Sequence, residues 1–79
     1  MSEDRARALL GAELRDAEER VARGEQDITR LAVMVARLVA RGVADQTATT
    51  ALAALRRSQV LFVDERDRLR RALDRLNAP

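Results

Sequence analysis

The chain has no cysteine, no histidine, no tryptophan and no tyrosine, and Phe62 is its only aromatic residue. Without cysteine there is no disulfide staple and no thiolate metal site. Without histidine the commonest metal ligand and the commonest general base are both missing. A platform that stacks nucleobases uses several aromatic rings, and one cannot supply it. Lysine is absent as well, so all fifteen basic residues are arginine; thirteen acids nearly balance them, and the formal net charge is +2. No apolar run reaches the roughly eighteen residues that a membrane-spanning helix needs. The first residues, Met1-Ser2-Glu3-Asp4-Arg5, do not combine a basic segment with an apolar one as a secretory signal does, so a cytoplasmic location is expected.

Helix breakers are equally scarce. The one proline is Pro79, and the three glycines are Gly11, Gly24 and Gly42. Alanine, leucine, arginine and glutamate dominate, all strong helix formers. At 79 residues the chain makes one domain at most. Its composition predicts an all-α fold interrupted once, at Arg41-Gly42-Val43-Ala44-Asp45. Gly42 suits the left-handed position just past a helix end. Asp45, or alternatively Thr47, suits the N-cap of the next helix. The expected elements are helix 1 over about 3–41, a turn over about 42–45 and helix 2 over about 46–76, in a single helical-hairpin domain over 1–79.

Apolar residues recur at alternating spacings of four and three along both halves. In helix 1 the seam is Leu10, Leu14, Ala17, Val21, Gly24, Ile28, Leu31, Val35 and Leu38. In helix 2 it is Ala48, Leu52, Leu55, Gln59, Phe62, Arg66, Leu69, Leu73 and Leu76, of which Gln59 and Arg66 are polar. This is a heptad repeat, the pattern of left-handed coiled packing. Folded back about the turn, the two seams match in one register, from Leu38 opposite Ala48 to Leu10 opposite Leu76. In that register Phe62 faces Gly24 and Leu69 faces Ala17, large against small, as interdigitation requires. Gly24 also allows a break in helix 1 and hence a three-helix bundle. A mid-helix glycine costs only about 1 kcal/mol against alanine, so the unbroken helix is the expectation.

A lone hairpin leaves apolar side chains wet. Val33, Met34 and Val39 lie off the helix 1 seam, and Val60, Leu61 and Val63 surround Phe62. A helix that is apolar around most of its circumference is normally buried, and a contiguous exposed patch normally marks an interface. The expectation is therefore a homodimer in which two antiparallel, coiled-coil-like hairpins form a four-helix bundle, with Met34, Val39, Val60 and Val63 in or near its interface. A partner helix docked on the same apolar flank is the related possibility.

Candidate chemistry is sparse. Gly-rich phosphate loops, nucleophile elbows, HExxH, CxxC and EF-hand patterns do not occur, which removes most enzyme classes. No cofactor, metal or small-molecule substrate is expected. The acids Asp16, Glu18, Glu19, Glu25 and Asp27 read as surface partners of Arg15, Arg20, Arg23 and Arg30, because an inward-facing di-iron site would need histidine as well. Arg66, in the helix 2 seam, either forms a buried ion pair with Glu18 or Glu25 or, as expected, lays its stem on the seam with its head in water. The alternative function rests on Arg30, Arg37, Arg41, Arg56 and Arg57. These cluster toward the turn with Asp45 as the only acid between Ile28 and Arg57, and they are able to contact the phosphates of RNA. A membrane-surface role is disfavoured by the mixed charges on the polar faces and the absence of lysine and tryptophan.

The stretches Ala17-Glu18-Glu19-Arg20-Val21-Ala22-Arg23-Gly24-Glu25-Gln26-Asp27-Ile28 and Ser58-Gln59-Val60-Leu61-Phe62-Val63-Asp64-Glu65-Arg66-Asp67-Arg68-Leu69 resemble a group of short, uncharacterised bacterial helical-hairpin (coiled-coil) proteins. The resemblance spans roughly residues 15 to 70. It departs at Phe62, where the group would have histidine, and at Val43-Ala44, where its turn is more polar. It implies a small cytoplasmic helical protein and assigns no activity, so the expected role is a non-enzymatic, self-associating interaction or structural module.

Overall fold

The computed structural model describes residues 2–79 and consists of two helices, α1 over Ser2–Ala40 and α2 over Gln46–Asn77, packed side by side with no strand among the described residues. The helices pack antiparallel along a rod 61 Å long and 17 by 14 Å across. Helix α1 starts and ends one residue earlier than expected, and α2 continues one residue further.

Helix α1 runs through Gly24 without a break, so the three-helix alternative does not occur. Its charges suit its dipole, with Glu3 and Asp4 in the first turn and Arg37 in the last. It ends in a Schellman motif. The Val43 N–H donates to the Leu38 carbonyl and the Gly42 N–H to the Val39 carbonyl, each at 2.9 Å. This closure places Gly42 at φ 74°, in the left-handed region, and no other residue of the chain among those described has positive φ. Asp45 is the N-cap of α2: its backbone is extended and its carboxylate accepts from the Ala48 N–H at 3.0 Å. Thr47, the other candidate cap, lies inside the helix. The turn thus satisfies backbone groups at both of the helix ends it joins.

The seams face each other as the heptads predict. No seam position of either helix is exposed. The core is nevertheless thin. Ala17, Val21, Leu52 and Leu69 are the only buried apolar residues among those described, and none is large and completely enclosed. Ala17 at 2% exposure and Leu69 at 4% are the two members of one expected small–large pair.

Toward the open end the hairpin is tied by polar contacts. Arg7 reaches across to α2, donating to the Asn77 side chain at 2.8 Å and to the Leu76 carbonyl at 3.3 Å. Arg70 pairs with Glu18 at 3.3 Å. Both Arg70 and Glu18 are about half exposed, so this bridge sets alignment more than it adds stability.

Candidate functional site

A heptad repeat gives each helix two flanks beside its seam, and in an antiparallel pair matching flanks meet on the same side. Val39 follows Leu38 and lies one turn beyond Val35, whereas Met34 lies one turn before Leu38 on the other side of the seam. On α2, Val63 lies one turn beyond Gln59 and Val60 lies beside it, on the flank that meets Val39. The Glu18–Arg70 bridge, from the corresponding heptad positions, shows that these two flanks share one side of the rod.

Two open hollows sit on this side. One, of about 340 Å³, lies between the helices next to the turn and is lined by Val35, Leu38, Val39, Val43, Ala48 and Thr49 among others. The other, of about 280 Å³, lies further along beside Ile28, Gln59, Val60 and Val63, with Arg56 and Asp64 at its edge. Val39 is 66% exposed and Val60 61% exposed, while Val63 is half-buried. Three of the four expected interface residues, Val39, Val60 and Val63, therefore share one face. Met34, also exposed, does not join them and lies on the opposite flank. Sequence reasoning grouped the four because it counted apolar residues off the seam without asking on which side each fell. The heptad phase held that information.

Leu61, Val33 and Leu9 are exposed as well, away from that face, and Val43 is exposed in the turn. Leu61, Val33 and Leu9 are scattered side chains, the usual condition of surface aliphatics, whereas Val43 borders the hollow beside Val35, Leu38 and Val39.

The polar seam residues behave differently from expectation. In the heptad register Gln59 falls opposite Ile28, and Phe62 opposite Gly24. Instead, the Gln59 side chain fills the space at Gly24: its Oε1 lies 1.9 Å from where a Gly24 Cβ would be, and its Cδ 2.8 Å from it. From there its Nε2 donates to the Val21 carbonyl at 2.8 Å. Its Oε1 is buried with no hydrogen-bond partner. Glutamine is long enough to reach the next level of the ladder, so its amide is the group nearest the glycine. Arg66 forms neither a buried pair with α1 nor a free head in water. It stays half-buried, and its guanidinium folds onto the adjacent Asp67 at 2.9 Å. Glu18, one of its expected partners, is taken by Arg70.

The turn-proximal arginines Arg30, Arg37, Arg41, Arg56 and Arg57 are all exposed. Arg30 pairs with Asp27, as the helical spacing suggests. The other four have no ion pair among the described residues, and Asp45, the one acid in their stretch of sequence, caps α2. Toward the open end Arg68 chelates Glu65 through three hydrogen bonds. The Glu65 carboxylate, by hydrogen bonding first and by charge second, raises the guanidinium pKa above its already high ordinary value.

No group of acidic side chains among the described residues is placed to hold a metal ion. Among the described residues no helix is long and apolar enough to cross a membrane. The molecule is thus an antiparallel helical hairpin with a largely half-buried seam, a flank that gathers Val39, Val60 and Val63, and an arginine-rich turn half. No family model, curated protein or solved structure matches the chain.

Proposed function

We propose that this chain is a non-enzymatic, self-associating helical module whose working form is a homodimer, two hairpins packed into a four-helix bundle. The observation that carries this reading is the surplus of exposed surface. The hairpin has 6084 Å² accessible to water. A compact monomer of its 8.8 kDa mass would expose about 4,800 Å². The excess, about 1,300 Å², is larger than the roughly 800 Å² that each partner contributes to a standard stable interface. The radius of gyration, 17.8 Å, points the same way, since a compact domain of this length has about 11.6 Å. The apolar flank through Val39, Val60 and Val63 supplies the surface for a second copy.

Sedimentation equilibrium over a wide concentration range tests the proposal. The expected result is a dimer mass at micromolar concentration. A stable, fully helical monomer under those conditions would contradict it.

A second reading is supported by the four turn-proximal arginines without ion pairs, Arg37, Arg41, Arg56 and Arg57: contact with the phosphates of RNA. Binding that weakens steeply with salt would support it, because each phosphate contact releases condensed counterions. Absence of binding at low salt would dismiss it.

A further inference from the structure

We propose that the two copies pair antiparallel, the turn of one beside the open end of the other, through the Val39, Val60 and Val63 flank. This rests on the self-association reading above and adds a face and a direction to it. The argument starts from how charge is distributed along the rod. Residues 28–57, the turn half, hold five of the fifteen arginines and one of the thirteen acids, which leaves ten arginines and twelve acids in the open half. The turn half is therefore strongly cationic and the open half mildly anionic. A parallel pair stacks one cationic half on the other. An antiparallel pair sets each cationic half against an anionic one, and such complementarity fixes register and direction even where it adds little affinity.

The flank fits the same arrangement. Val60 and Val63 lie near the middle of the rod, where a two-fold axis across it would bring them against their own copies. Val39, near the turn, would then lie against the partner's open end, where the same flank presents Ala8 and Gly11, small and uncharged. A protruding valine packs over small residues, and the Arg15 guanidinium, 3.8 Å from where a Gly11 Cβ would be, borders that spot. The closed two-fold pair covers the flank on both copies, with Arg56 and the Glu18–Arg70 bridge at its border, and leaves Met34 on the opposite flank in water.

The absence of native cysteine makes a direct test possible. Two full-length variants, Val39→Cys and Ala8→Cys, both at exposed helical positions, are mixed in a glutathione redox buffer after circular dichroism has confirmed their helicity. The expected product is the mixed Val39–Ala8 disulfide, in excess over either self-linked species, from a protein that sediments as a dimer. Preferential Val39–Val39 linkage in a dimer would establish a parallel pair and overturn the direction while leaving self-association intact. A dimer that links at neither position would overturn the choice of flank. A monomer in sedimentation would remove the proposal together with the reading it rests on. Salt gives an independent sign: the antiparallel pair should dissociate more readily as salt rises, and a parallel pair less readily.

Discussion

At Gly24 an added Cβ would fall 1.9 Å from the Gln59 Oε1, so any larger residue there must displace the amide. Displacement breaks the Gln59 hydrogen bond to the Val21 carbonyl, an interaction of about 1 kcal/mol. Against that, alanine gains about 1 kcal/mol over glycine in a helix interior. The two effects nearly cancel, so Gly24→Ala alone should change stability little or reduce it slightly. In a Gln59→Ala background the clash is gone and the propensity gain remains, so Gly24→Ala should then stabilise by about 1 kcal/mol. Urea denaturation of the four proteins at one fixed concentration measures the coupling as a double-mutant cycle. Strict additivity would show that the glutamine does not occupy the glycine's space. Arg66 makes a related point about a charged seam residue. Paired with its own neighbour, it holds the seam only through its aliphatic stem, so Arg66→Met should be tolerated within about 1 kcal/mol.

At the level of the helices, the turn is specified by two residues whose roles do not overlap. Gly42 stands at φ 74°, where a Cβ costs roughly 1–2 kcal/mol, although open space surrounds it. Asp45 caps α2, and its loss costs about 1 kcal/mol. Gly42→Ala and Asp45→Ala should therefore each lower stability by about that amount and, acting on different helix ends, should add. The measurement is the shift in denaturation midpoint of each single variant and of the pair. A Gly42→Ala protein as stable as the original would mean that α1 ends in some other way. These elements were legible in the sequence because breakers are so few: one glycine just past the last seam residue of helix 1 and one capping acid leave little choice for the turn. The seam was legible because its heptad period is unbroken on both sides. The Gly24 partner and the Arg66 partner were not, because a register assigns levels along the ladder and says nothing of how far a long, flexible side chain reaches from its own level.

For the whole molecule, the thin core would make concentration part of the fold once a second copy completes it. With only Ala17, Val21, Leu52 and Leu69 buried among the described residues, a single hairpin encloses too little apolar surface to hold itself folded with a comfortable margin. If a second copy completes the core, each tenfold rise in concentration stabilises the folded pair by about 1.4 kcal/mol, and the melting temperature must climb with concentration. Two adjacent residues separate this from a merely hydrophobic surface. Val60 and Leu61 are 61% and 68% exposed in the single hairpin, yet Val60 lies on the apolar flank and Leu61 points away from it. In an isolated hairpin, glutamate at either site would face water and change stability by less than about 0.5 kcal/mol. In the paired molecule Val60→Glu puts a carboxylate into the apolar contact, with Arg56 one turn back at the edge of the hollow as its nearest basic group, and should lower stability by about 1–2 kcal/mol, with weakening of the dimer, while Leu61→Glu stays nearly neutral. Thermal melts at matched concentrations compare them directly. Equal, small effects would mean that the flank is free surface. Equal, large effects would mean that association wraps the whole rod and not the one face on which Val39, Val60 and Val63 meet.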